Sequence, residues 1–294
     1  MKQVLLILFI FIVTIFAGMI SDAGEAKERV KGNNPRIIIT SDLHLSLPEG
    51  RWPDKTKIFR DFLDSEVTEQ KPEIIFIVGD VIDNVIINNK RVMAGFYKYP
   101  KYFERETALY KSIIKQYPQI QFMQSLGPGH DFIGKNTLEE AEKYIGKAKG
   151  SFKWQGIDFV WFTVKKSVFR DNDDNVLSPD DYTWLDEKLD HAEKAVLLFH
   201  IPLRTKATYE AGKWNNKRNL TIPPSDKLYG IIDRHANKIL AVFNGHIHEQ
   251  ISSSYKGIPV YLCPLTKAMS YAVVTVNRNP VAINVAIKQF RPKQ

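Results

Sequence analysis

The chain has 294 residues, 44% of them hydrophobic and 25% charged, the make-up of an ordinary globular protein, which excludes a disordered or low-complexity one. That length holds one large domain or two small ones. The formal charge of +8 is spread along the chain and not gathered in a basic extension, so it favours anionic substrates or surfaces without marking a nucleic-acid binder.

In chain order, the first segment is MKQVLLILFIFIVTIFAGMISDAG, residues 1–24. Lys2 supplies a charged start, Val4 to Phe16 is apolar except for Thr14, and small residues come after it at Ala17, Gly18, Ser21 and Ala23. That is the pattern of a secretory signal peptide; because the run extends to Ile20, an N-terminal membrane anchor is the alternative. Either way the expectation is export, to a periplasmic, extracellular or outward-facing anchored location. Residues 33–294 are expected to form a single domain. The one cysteine, Cys263, lies in the apolar run PVYLCPL, cannot form an internal disulfide and reads as a buried core thiol.

RIIIT (36–40), EIIFIV (73–78), QIQFMQ (119–124), AVLLFH (195–200) and KILAVF (238–243) read as buried strands, apolar on both faces. Helical periodicity runs through 54–70, 101–116, 136–146, 179–194 and 223–236, with Pro179 and Pro223–Pro224 near helix starts. In the 101–116 segment Phe103, Ala108, Leu109, Ile113 and Ile114 share one side, as in a helix that covers a sheet. GSFKWQGIDFVWFTV (150–164) and the tail from Gln250 to Phe290 read as antiparallel strands. Alternating strands and helices predict an α/β fold with crossover connections, two packed sheets and helices outside.

The residues just beyond each core strand carry the chemistry, because open α/β sheets collect ligands at the carboxyl ends of their strands. After RIIIT comes SDLHL, and after EIIFIV comes GDVID. QIQFMQS leads into GPGHD, AVLLF ends in His200, and KILAVF runs into NGHIHE. Five of the seven histidines lie in these loops; His191 and His235 fall in helical segments and are expected at the surface. Neutral imidazoles and carboxylates are the ligands of Zn, Fe and Mn. If the strand geometry continues, Asp42 and His44 share a side of the backbone, as do His246 and His248, with Gly245 allowing close approach. A carboxylate such as Asp80 can place an oxygen on each of two metals, and a metal pair lowers the pKa of a bridging water and clamps a phosphoryl group. The tight turn at Gly127-Pro128-Gly129 presents His130, which, oriented by Asp131, suits the acid that protonates a leaving oxygen.

The ordered set D-x-H, G-D-x-x-D, a G-N-H-D-like turn, a lone strand-end His and G-H-x-H resembles the calcineurin-like metallophosphoesterase family, over roughly Arg36 to Glu249. The resemblance implies a four-layer α/β/β/α sandwich of two packed mixed β-sheets. It also implies a dinuclear centre of Mn, Fe or Zn, and a small anionic phosphate ester as substrate, hydrolysed by attack of a metal-bridging hydroxide. By motif position, Asp42, His44 and His248 would hold the first metal, Asp80 would bridge, and His200 with His246 would hold the second. His130 would be the acid or charge stabiliser, supported by Asp131. The region 179–203 is similar to the subgroup of cyclic-nucleotide phosphodiesterases and purple acid phosphatase-like enzymes, although Asp83 stands where the coloured type has tyrosine.

One position departs. The family's turn has Asn before the His, a ligand of the second metal, and this chain has Gly129. Asn84 or Asn244 could compensate; otherwise the second metal is held more weakly and catalysis is slower or narrower. The other readings are a non-catalytic or single-metal scaffold retaining the fold, and a nuclease of the same family, which the absence of a basic extension disfavours. Asp83 either braces its turn or joins the site. RDNDDNVLSPDD (170–181) lacks the spacing and closing Glu of a calcium loop and reads as a solvated loop.

Overall fold

The computed structural model describes residues 35–48, 54–83, 100–132, 135–171, 173, 175–215 and 218–292. The expected signal segment, residues 1–24, lies outside them, as does Asn84. Pro35–Gln294 forms one compact unit. Its strands are β1 (Ile37–Thr40), β2 (Ile74–Val78), β3 (Gln121–Ser125), β4 (Gly150–Trp154), β5 (Ile157–Trp161), β6 (Ala195–Leu198), β7 (Lys213–Asn215), β8 (Arg218–Asn219), β9 (Ile239–Asn244), β10 (Ile251–Tyr255), β11 (Ile258–Leu262), β12 (Ser270–Arg278) and β13 (Val281–Gln289). Its helices are α1 (Asp54–Gln70), α2 (Pro100–Ile114), α3 (Lys135–Tyr144), α4 (Pro179–His191), α5 (Lys206–Ala211) and α6 (Lys227–Arg234).

Two mixed sheets result. One has five strands in the order β13-β12-β1-β2-β3, and the other six in the order β10-β11-β9-β6-β5-β4. β1, β2 and β3 run parallel, as do β5, β6, β9 and β11, while β12, β13, β4 and β10 pair antiparallel. The strand period of two sorts the side chains into layers. Ile37, Ile39, Phe76 and Val78 of the first sheet meet Phe159, Trp161, Val196, Leu198 and Phe243 of the second in one buried cluster. The alternate residues Ile38, Ile75 and Ile77 pack against Phe59, Phe62 and Leu63 of α1 and Tyr110 and Ile113 of α2. On the far side Val160, Leu197 and Val242 pack against Leu185 and Leu189 of α4 and Leu228 and Ile232 of α6. Helices, sheet, sheet and helices make the expected four layers, and the aromatic run of β4 and β5 lies in the core between the sheets, where Phe152 stacks on Phe159 at 5.1 Å.

Three expectations need correction. β3 is an edge strand, and its residues are mostly half-buried, so QIQFMQ is not covered on both faces. The tail is not wholly antiparallel, because β11 joins β9 in parallel. His191 is exposed as expected, but His235 is buried and its Nε2 lies 2.8 Å from Asp186 Oδ1, a hydrogen-bonding contact between the end of α6 and α4. Cys263 is buried and unpaired, and burial pushes its thiol up to about 12.

Candidate metal centre

The carboxyl ends of β1, β2, β6 and β9 converge, so the loops after them bring residues from both sheets to one place. Asp42, His44, Asp80 and His200 are buried almost completely. Donor atoms of Asp42, His44, Asp80 and His248 lie within 4.8 Å of one another, and so do those of Asp80, His200 and His246, with Asp80 common to both sets. Ligands about 2.0–2.2 Å from a metal are spaced this way around it.

Backbone carbonyls select which nitrogen each imidazole offers. His200 donates from Nδ1 to Val78 O at 2.8 Å, which leaves Nε2 at 3.1 Å from Asp80 Oδ2. His246 donates from Nε2 to Ser167 O at 2.8 Å, which leaves Nδ1 for a metal. Such outer hydrogen bonds fix tautomer and ring orientation. Asp80 is buried with no hydrogen bond on Oδ1, while its Oδ2 faces imidazole nitrogens, His200 Nε2 at 3.1 Å and His44 Nε2 at 3.6 Å. The Nε2 atoms of His44 and His248 stand 2.9 Å apart. Buried acceptors do not converge in this way without a cation or a proton among them. The donor set therefore fits two metal ions.

The electrostatics agree. Burial alone would raise Asp42, but His248 and His200 hold it well below the usual carboxylate range. Burial and the charge of His130 push His44 well below its ordinary value, and burial with His200 pushes His246 down to about 4. Burial opposes a charge on His200 too, yet Asp80 and Asp42 outweigh it and hold that imidazole up at about 10. His200 thus supplies a cation to a site whose carboxylates demand one.

The backbone at these residues is not the strand extension assumed from the sequence. Asp42 (φ 55°), His44 (φ 44°), Asp80 (φ 52°), His246 (φ 74°) and His248 (φ 62°) all adopt left-handed angles. Each costs an L-residue about 1–2 kcal/mol, strain of the kind stored at functional sites. The turns after the strands bring Asp42 beside His44, its Oδ1 3.9 Å from His44 Nε2, whereas His246 and His248 serve different ligand sets. Glycine makes room for the carboxylates: a Cβ on Gly127 would stand 2.1 Å from Asp80 Oδ1, and one on Gly245 would stand 2.6 Å from Asp42 Oδ2.

His130 sits on the same wall, its ring centroid 4.4 Å from that of His44 and perpendicular to it. Its Nδ1 donates to Asp83 O at 2.8 Å and lies 3.6 Å from Asp83 Oδ1. Asp83 is fully buried and faces His44 Nδ1 at 3.5 Å as well, so it joins the site as well as bracing its turn. Asp131 does not orient the His130 ring. Its carboxylate accepts from the backbone amides of Val81 (2.8 Å), Ile82 (3.2 Å) and Gly127 (2.8 Å), so it ties the loop after β2 to the turn that carries His130. Burial and the charge of Asp80 raise Asp131 to about 7 against the pull of those amides.

Gly129 has φ 106°, and a Cβ there would lie 3.6 Å from Ser167 Oγ, so the space admits a side chain but the backbone favours glycine. Asn244 turns its amide to Phe199 O at 2.6 Å. Ser167 has no counterpart among the residues read from the sequence, since it acts through its carbonyl, which any residue carries.

The sequence pattern of calcineurin-like phosphoesterases matches residues 35–250. No curated protein sequence matches the chain. Among solved structures, the fold is similar to a dimetal phosphatase from Danio rerio, at TM-score 0.59 and 9% identity over 87% of this chain and 99% of that one. It is also similar to a putative 5'-nucleotidase from Staphylococcus aureus, at TM-score 0.53 and 11% identity over 88% of this chain and 54% of that one. A purple acid phosphatase from yellow lupin matches at TM-score 0.54 and 12% identity, over 88% of this chain and 52% of that one.

Proposed function

We propose that this chain, which belongs to the calcineurin-like phosphoesterase family, is a metal-dependent hydrolase of phosphomonoesters or phosphodiesters. Asp42, His44, Asp80 and His248 would hold one cation, and Asp80, His200 and His246 the other. The observation that carries the reading is Asp80, buried among imidazole nitrogens and shared by both ligand sets. Bound there, divalent cations supply an activated water near neutral pH and stabilise charge on the phosphoryl oxygens.

The chain's own residues do the rest. The carbonyls of Val78 and Ser167 hold His200 and His246 in the tautomers that ligate. His130, fixed at Nδ1 by Asp83, is the group placed to give a proton to the leaving oxygen. Asp131 keeps the turn under His130 in register with the loop that carries Asp80. With Gly129 in place of a ligand, the second cation has three protein side chains, one of them shared, and is the more weakly held.

The test is hydrolysis of bis(p-nitrophenyl) phosphate and p-nitrophenyl phosphate with Mn²⁺. Asp80→Asn should lower kcat/KM at least about a hundredfold, because loss of partners outside the ligand sphere already costs up to that much. It should also lower the metal content of the purified protein. Gly129 favours a second reading, a single-metal scaffold that binds without turning over. Wild type no faster than Asp80→Asn, with one metal per chain, would establish it. Likeness to the cyclic-nucleotide phosphodiesterase and purple acid phosphatase-like subgroup and export through residues 1–24 complete the proposal. N-terminal sequencing of the mature protein tests the export.

A further inference from the structure

A second feature shares a chain segment with the metal centre. The loop between β5 and α4 supplies Ser167, whose carbonyl holds His246. The residues around it line a cavity of about 340 Å³, with Lys166, Val168, Phe169, Arg170, Asp173 and Arg218 as its walls. Phe169 is fully buried and exchanges backbone hydrogen bonds of 2.9 Å with Asn219, in both directions. That bridge brings Arg218, at the start of β8, beside Arg170. Lys166 is paired with Asp173 at 2.9 Å, and Asp173 also accepts from the Arg170 amide at 2.7 Å. Among the described residues Asp173 is the one carboxylate in the lining, and it is committed. Among the described residues neither the Arg170 nor the Arg218 guanidinium has an ion-pair partner. The described wall residues thus carry three cations against one anion, within a volume at the small end of ligand pockets.

We propose that this cavity is a subsite for a second anionic group, a phosphate or similar oxyanion carried by the ester whose phosphoryl group sits at the metals. Arginine guanidinium presents a planar fork that matches phosphate oxygens. Lys166 and Val168 flank Ser167, whose carbonyl holds His246 and whose hydroxyl would lie 3.6 Å from a Cβ on Gly129, the residue before His130, so the loop that walls the cavity also walls the metal centre. The preferred substrate class is then a bisphosphorylated molecule in place of a simple monoester. This deepens, and rests on, the phosphoesterase reading.

The experiment compares kcat/KM for adenosine 3′,5′-bisphosphate and adenosine 5′-monophosphate by phosphate release, in the Mn²⁺-loaded protein and in the double variant Arg170→Ala/Arg218→Ala. The ratio of bisphosphate to monophosphate should favour the bisphosphate in wild type and fall about tenfold in the variant, mainly through KM. An unchanged ratio, or equal losses on both substrates, overturns the subsite. A second arm titrates inorganic pyrophosphate into chelator-treated protein by calorimetry. Should the wild type hydrolyse neither ester, the p-nitrophenyl phosphate assays decide the phosphoesterase reading and this arm decides the cavity. Pyrophosphate binding weakened about tenfold by the variant upholds an anion site. Binding that is absent in wild type or equal in both proteins overturns it.

Discussion

His130 and Asp131 are neighbours in the chain with opposite work, and two substitutions separate them. His130 turns one nitrogen to Asp83 and stands against His44, so its removal takes a proton donor from the centre and leaves the fold alone. His130→Ala should lower kcat by about 10²–10⁴-fold, the usual contribution of a positioned acid, with an unchanged melting temperature. Asp131→Ala instead strips the acceptor from three buried amides, Val81, Ile82 and Gly127. It should cost about 3 kcal/mol of stability, read by urea denaturation, while activity per folded molecule falls less than in His130→Ala. A stable Asp131→Ala protein with His130→Ala kinetics would return Asp131 to the proton-transfer role that the sequence suggested.

At the scale of elements, one buried side chain ties the helices of the second outer layer to each other and to the loop before α4. Asp226 caps α6 by accepting from Leu228 N at 2.8 Å, and also accepts from Tyr182 OH of α4 and from Val176 N, both within 2.9 Å. Asp226→Ala should therefore cost more than a cap, about 2–3 kcal/mol, and lower the melting temperature by about 5–10 °C. A loss under about 1 kcal/mol would mean that water replaces these bonds freely. The same packing determines which elements could be read in the sequence. β1, β2, β6 and β9 are covered on both faces and read as continuous apolar runs, whereas β3 lies at an edge and gave no such guarantee. α5 and the β7-β8 pair are too short to show a period. They rest on individual hydrogen bonds such as Thr208 N donating to the Thr205 Oγ1 cap (3.2 Å) and Asn219 Nδ2 donating to Tyr209 O (2.9 Å). In the centre itself, the ligand types and their order were legible because chemistry restricts them. The left-handed turns and the Ser167 carbonyl were not, since backbone shape and a main-chain acceptor leave no mark on residue identity beyond the flanking glycines.

At the scale of the whole molecule, the centre takes Asp42, His44 and Asp80 from the first sheet's strand ends and His200, His246 and His248 from the second's. A cation bound there ties the two sheets together and must stabilise the native state, by roughly 2.7 kcal/mol at a hundredfold excess over Kd, or about 5–10 °C. The pH dependence of that gain has a definite sign. His200 is held at about 10 in the folded metal-free protein against an ordinary 6.5, so its proton stabilises the fold fully below pH 6.5. That contribution declines as pH rises toward 10. Metal binding requires the neutral imidazole and displaces this proton, so affinity rises as protons become scarcer. Melting curves with chelator and with saturating Mn²⁺, from pH 6.5 to 9, should show the two midpoints moving apart as pH increases, the metal-free one falling. A gap that stays constant over that range would mean that His200 carries no proton in the metal-free fold, and that the carboxylates of Asp42 and Asp80 are balanced some other way.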